Sequence, residues 1–180
     1  MQENKFDTRT MTKIAMCVAF ISASSYINIP LPFTPALITG TTLALGVTAL
    51  VLPPKHTFIA IAIYLFIGAI GIPVYSGGQG GLSKLLGPAG GFYIGYPFAF
   101  TVLSFIKGKE PDFRRYLLLS IFPIMPLVYV GGLASMMLIL QIDLQKALVM
   151  AVYPFIIGDV LKSAAAAFIG VRVNKALEHL

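Results

Sequence analysis

Residues 77–96 read GGQGGLSKLLGPAGGFYIGY. The stretch is rich in glycine, holds Lys84 as its one charge, and lies between two strongly apolar segments. Glycine is the costliest residue to order on folding, because it surrenders the most backbone freedom. A run of this kind is either a slack linker or a loop whose backbone must come close to something. Slack linkers are polar and serine-rich. This one is interleaved with Leu82, Leu85, Leu86, Phe92 and Tyr93, side chains that favour burial. The spacing therefore predicts a packed, ligand-facing loop, and the linker remains the alternative.

The surroundings of that loop set the class. The 180 residues are 57% hydrophobic and 11% charged, with a mean hydropathy of +0.86. A soluble domain is about half apolar and about a quarter charged. The chain reads as an integral membrane protein. At about 20 residues per span, about six spans take about 120 residues and leave about 60 for loops and ends. We expect an all-α bundle of six transmembrane helices forming one domain over residues 1–180. Cys17 is the only cysteine, so a disulfide framework and a cysteine-based metal site are both excluded.

Apolar segments are predicted at 10–29, 36–52, 57–72, 91–106, 116–142 and 147–173. The basic start and the Ser22–Ala23–Ser24–Ser25 run imitate a signal peptide, but the apolar stretch continues past them through Ile29. Ala15, Ala19 and Ala23 recur every four residues and give the first helix one face of small side chains. Such a face admits a second helix closely, although alanine is also simply common in membrane helices. Pro30, Pro32 and Pro35 end the first helix. Thr39, Thr41 and Thr42 open the second, either bonding their own backbone or facing a polar cavity. Pro123 and Pro126 predict a kink in the fifth segment. Pro154 and Gly158 lie inside the sixth.

Alternating the connections from the amino end places Lys5, Arg9, Lys13, Lys55, Lys107, Lys109, Arg114, Arg115, Arg172 and Lys175 on one side. Only Lys84 and Lys146 fall on the other. The positive-inside rule makes both termini cytoplasmic and explains the net charge of +6 as a topology signal, with no nucleic acid as partner. The proline loop and the glycine loop are then both extracytoplasmic. Pro32, Phe33, Thr34, Gly80, Gly90 and Gly91 are expected to belong to a lid or loop over one mouth of the bundle.

One segment carries ionisable residues deep in apolar sequence. Asp159 and Lys162 are three apart and share a helical face. A charge at a helix centre costs about 2.5–3.5 kcal/mol on the insertion scale, so the pair must look inward. It marks a functional site or a neutralised tie between helices. There is no P-loop pattern, so no nucleotide hydrolysis is expected of this chain. His56 and His179 sit at the predicted cytoplasmic ends, away from any serine of the cavity, which argues against a serine hydrolase. No cluster has metal-ligand spacing, so no metal and no cofactor are expected. A chain of this length without an internal repeat is short for a rocking carrier. What remains is an outward-opening cavity with a fixed ion pair and no motor.

The stretch GGQGGLSKLLGPAGGFYIGYPFAF, together with PFIIGDVLKSAAAA over residues 154–167, resembles the BioY family. These are the biotin-specific S components of energy-coupling factor transporters. The resemblance runs from the first helix to the last. It implies a six-helix, multi-pass subunit of the cell membrane that captures biotin outside and passes it inward with a scaffold subunit and two ATPases. It implies Asp159 and Lys162 as ligand contacts. It also places Gln79 where relatives often have Asn, Tyr93 where some have Arg, and Thr41 where many have Gln. The alanine face Ala15, Ala19, Ala23 is similar to the surface by which such subunits meet their scaffold. An S component for another small vitamin, a membrane enzyme using Asp159 and Lys162 for acid–base work, and a stand-alone facilitator are the rival readings.

Overall fold

The computed structural model describes residues 7–178; Lys5 and His179 lie outside them. Helix α1 (Thr8–Ser24) stops earlier than the apolar run suggests. The chain then turns into a two-residue strand, β1 (Asn28–Ile29), which pairs antiparallel with β2 (Ile38–Thr39). Asn28 stands opposite Thr39 and Ile29 opposite Ile38, so the proline loop is the end of a small β-ribbon. This ribbon takes residues expected in helix from both flanking segments. The three prolines cannot supply helical N–H groups, and pairing the flanks satisfies backbone that would otherwise be bare.

Helix α2 (Thr41–Val51) is consequently short. Helix α3 (Pro54–Ala69) begins on a proline, which is pre-shaped for the first turn and has no N–H to waste there. The glycine-rich stretch that follows is tied down at several points. Tyr75 and Gln79 exchange backbone hydrogen bonds, Gly77 N–H donates to Ser25 O at 3.2 Å, and Gly81 N–H donates to Gly68 O at 2.7 Å. Gly77, Gly78 and Gly81 have positive φ, which side-chain-bearing residues rarely adopt. The stretch is a packed loop with a single short turn of helix, α4 (Leu82–Leu85), and not a slack linker.

Helix α5 (Gly90–Ile106) starts where the sequence predicts. Gly90 and Gly91, expected in the lid or loop, are its first two residues. The fifth segment is one apolar rod over 113–140: α6 (Phe113–Leu119), a π-helical turn (Ser120–Ile124) and α7 (Met125–Leu140). Pro123 sits in the π turn, whose wider register absorbs the missing N–H. The sixth segment is not one helix. It is α8 (Leu144–Ala151) and α9 (Ile156–Glu178), bent by 47° at the break that holds Pro154. Proline's ring and absent N–H make that break.

α2 packs against α1, α5 and α9, and α5 packs in turn on α3 and α7. Among the described helices, Phe113–Leu140 alone is long and apolar enough to cross a bilayer by itself, and α8 with α9 passes only as a bent pair. At about 1.5 Å per residue, α2 covers about half of a hydrocarbon core about 30 Å thick. Large apolar side chains such as Phe66, Phe105, Phe122 and Ile157 point outward from α3, α5, the π turn and α9, a surface suited to lipid.

One end of the bundle gathers basic residues. Lys107, at the foot of α5, donates to the carbonyls of Ala49, Leu50 and Leu52 at 2.9, 2.8 and 2.6 Å. Asn174 of α9 donates to Leu50 O at 2.9 Å. The last turn of α2 is capped by these two side chains. Its first turn, at the opposite end, meets α9 at Asp159, and the strand just before it meets Lys162.

α5 and α7 touch through glycine. A Cβ on Gly91 would run into the Gly131 carbonyl oxygen and the Ser135 hydroxyl. Gly91→Val is expected to force the two helices apart and to destabilise the protein by about 1–3 kcal/mol, as overpacking does. Thermal unfolding in detergent checks this; an unchanged melting temperature would show that the contact is dispensable.

Candidate functional site

The break at Pro154 and the ribbon between α1 and α2 bring polar groups to the middle of the bundle. Asp159 lies early in α9 and is buried. Its Oδ1 is 2.5 Å from Lys162 Nζ and accepts from Thr42 Oγ1 at 3.4 Å. Its Oδ2 accepts from the Tyr129 hydroxyl at 2.7 Å. Lys162 Nζ also donates to Thr39 O at 3.1 Å, on the ribbon. A carboxylate offers about four acceptor sites and an ammonium three donors. With these partners counted, Asp159 keeps about one acceptor site and Lys162 one N–H, side by side.

Both face a cavity lined by Pro35, Ala36, Leu37, Thr39 and Thr42 from the ribbon and α2. Ser76, Lys84 and Ala89 line it from the glycine-rich region, Phe92, Tyr93 and Tyr96 from α5, and Val128, Tyr129 and Phe155 from α7 and the α8–α9 break. Asp159, Lys162, Thr42, Val128 and Tyr129 also line a second chamber, which runs on between α2, α7 and α9 to Ser163 and Ala166. The ion pair therefore stands at the floor of the first chamber.

An aromatic column backs this space. Tyr64, Tyr75, Tyr93, Tyr96 and Phe100 follow one another with ring centres 5.7, 4.8, 5.5 and 6.0 Å apart. Tyr75 anchors the glycine-rich loop through its hydroxyl to Leu65 O at 2.5 Å. Burial, and after it the neighbouring Tyr93 hydroxyl, push the Tyr75 phenol up to about 12.

Of the residues singled out in the sequence, Asp159, Lys162 and Tyr93 come together in the cavity lining. Tyr93 is buried, and its hydroxyl accepts from Ser76 N–H at 3.1 Å. Thr41 is fully buried outside the lining, with no hydrogen-bond partner for its hydroxyl among the described residues. Its neighbour Thr42, about 100° round the helix, faces the site in its place. Gln79 is exposed and lies outside the lining, as does Gly80. Pro32 and Phe33 are exposed and Thr34 is buried, while the same loop lines the cavity through Pro35, Ala36 and Leu37. Ala15, Ala19 and Ala23 are exposed on α1, far from this chemistry. Among the described residues no group of three or more metal-ligating side chains occurs.

Sequence reasoning gave no site role to Tyr129, Phe92, Phe155 or Lys84. Tyr129 sits in Leu-Val-Tyr-Val-Gly, which reads as core. Only the approach of α7 to α9 gives its hydroxyl a task.

Removing one partner of a buried pair strands the other charge, at about 3–5 kcal/mol. Lys162→Ala is expected to lose that much stability without any ligand present. Asp159→Asn/Lys162→Met, which removes both charges, is expected to recover most of it. Chemical unfolding of the two variants decides; equal stability of both would mean that the pair is not coupled.

Comparison with known proteins follows the same geometry. The sequence profile of the BioY family matches residues 1–179. The chain is 34% identical over 175 residues to the biotin transporter BioY2 of Lactococcus lactis subsp. cremoris (strain MG1363), covering 94% of this chain and 92% of that one. It is 33% identical to a probable biotin transporter BioY of Pyrococcus horikoshii, covering 92% and 96%. Its fold is similar to the crystal structure of the S-component for biotin from an ECF-type ABC transporter, with a TM-score of 0.87, 26% identity and coverage of 97% and 95%.

Proposed function

This chain belongs to the BioY family, and from that premise we propose that it is the substrate-capturing S component that binds biotin for uptake by an ATP-driven energy-coupling factor transporter. It is a transporter subunit and not an enzyme. The observation that carries the ligand is the Asp159–Lys162 pair, with its spare acceptor beside its spare donor. A ureido group presents N–H donors next to a carbonyl, the complement of that pattern. Phe92, Tyr93 and Phe155 supply apolar walls for a thioether ring and an aliphatic chain. Lys162 is already neutralised by Asp159, so we assign it to the ureido end and not to the acid.

We assign the mouth of the cavity to the extracytoplasmic side and both termini to the cytoplasm. Lys107, Arg115 and the foot of α9 meet at the end opposite the glycine-rich loop, in keeping with the positive-inside rule. Six membrane segments follow in this reading, α2 being completed by the ribbon that lines the cavity. Irregular backbone is tolerated at membrane depth where it lines such a space. The proline and glycine loops form the lid.

Purified in detergent with no nucleotide, the protein is expected to bind biotin in titration calorimetry. Lys162→Ala should weaken binding by about 100-fold or more, because the ureido carbonyl loses its donor and Asp159 its counter-charge. Asp159→Asn should cost less, since an amide oxygen still accepts. Wild-type affinity in a folded Lys162→Ala protein would remove this residue from the site.

Transport needs a partner with a motor, and α1 offers a docking face. Ala15 and Ala19 line an apolar groove between α1 and α3, together with Ile59, Ile63 and Ile67. No residue of α1 lines the ligand cavity. In lipid, close packing has to supply affinity between helices. Ala19→Trp should therefore bind biotin normally yet fail to co-purify with a scaffold–ATPase complex and fail to support uptake in cells. Loss of biotin binding in this variant would assign the alanines to internal packing, and normal uptake would move docking to another face.

A further inference from the structure

The charges that line the first chamber do not balance. Among the described residues they are Lys84, Asp159 and Lys162. Asp159 and Lys162 cancel each other in direct contact. Lys84 is left over. It sits on α4, in the glycine-rich loop, half-buried against the cavity. Its ammonium has no hydrogen-bond or ion-pair partner among the described residues. Desolvation alone acts on it and lowers its pKa, with no carboxylate near enough to offset the effect.

Position adds to charge. Asp159, Lys162, Thr42 and Tyr129 line both chambers, so they mark the floor of the first. Lys84 lines the first chamber only, alongside Ser76 and Ala89 of the loop side. The cavity thus has a neutral polar pole at its floor and an uncompensated cation at its loop end, with Phe92, Tyr93 and Phe155 among its walls. A lysine with nothing to neutralise it ordinarily turns its head to water. Here it lines the same cavity as the ion pair.

We infer that Lys84 is the counter-charge for the carboxylate of the bound acid, and that it sets the ligand's orientation: acid toward the glycine-rich loop, ring toward Asp159 and Lys162. The inference rests on the biotin reading above. It gives the loop a second task. When the acid arrives, α4 is tied to the ligand by a charge-assisted hydrogen bond, so recognition of the carboxylate and ordering of the loop are one event.

Biotin and its uncharged primary amide, biotinamide, separate this contact from everything else in the site. They differ at the acid end and share ring and chain. Calorimetry on the full chain in detergent should find biotin bound about 10- to 100-fold more tightly than biotinamide, the range of one hydrogen bond to a charged group. Lys84→Met should abolish that preference by weakening biotin alone, leaving biotinamide affinity where it was. Lys84→Arg should keep the preference. If Lys84→Met retains the full preference, the acid is read elsewhere and the inference falls while the biotin reading stands. If it weakens both ligands equally, Lys84 acts through packing and the inference falls. A wild-type protein that binds neither ligand overturns the biotin reading and this inference with it.

Discussion

A buried carboxylate touching a half-buried ammonium constrains the rest of this structure. Asp159 and Lys162 stand on a helix inside an apolar bundle, where each charge alone is costly. Their mutual attraction does not offset desolvation unless the remaining lone pairs and N–H groups find partners. Those partners come from three directions: Tyr129 from α7, Thr42 from α2, and the Thr39 carbonyl from the ribbon. Thr42 stands in the first turn of α2 and Thr39 in the non-helical ribbon just before it. The short α2, the proline ribbon and the break at Pro154 bring these partners to the pair.

The opposite end solves a matching problem. The last carbonyls of α2 have no helical partner. Lys107 and Asn174 supply N–H groups to them, and Ser104 adds a donor to Leu52 O at 2.6 Å. α2 and α9 are thereby pinned at both ends, by the Asp159–Lys162 pair at one and by this cap at the other. The glycine-rich loop is fastened in turn to the end of α1 by Gly77 N–H to Ser25 O, and to α3 by Tyr75 and Gly81. The cavity is walled by elements that hold one another, a frame suited to orienting a small acid.

Much of this was legible in the sequence. Composition alone separated membrane from soluble protein. The three-residue spacing of Asp159 and Lys162 placed them on one helical face, because helical period is a local property. The glycine-rich stretch read as a packed loop because its leucines and aromatics need burial. Prolines told where helices end, although Pro154 breaks its segment outright and the ribbon around Pro30, Pro32 and Pro35 takes residues expected in α1 and α2.

The rest depended on which helices meet. Tyr129, Thr42 and Thr39 reach the ion pair across sequence separations of 30, 117 and 123 residues. No local pattern distinguishes a tyrosine that serves a carboxylate from one that fills a core. Thr41 and Thr42 differ by one step of helical phase, and the start of α2, set by the ribbon and Gly40, decides which of them faces the site. The sequence by itself determined the class, the pair and the loop, since these follow from composition and local period. Tertiary packing alone decided the partners of the pair and the position of Lys84, because convergence in space is a property of how helices pack and not of their order along the chain.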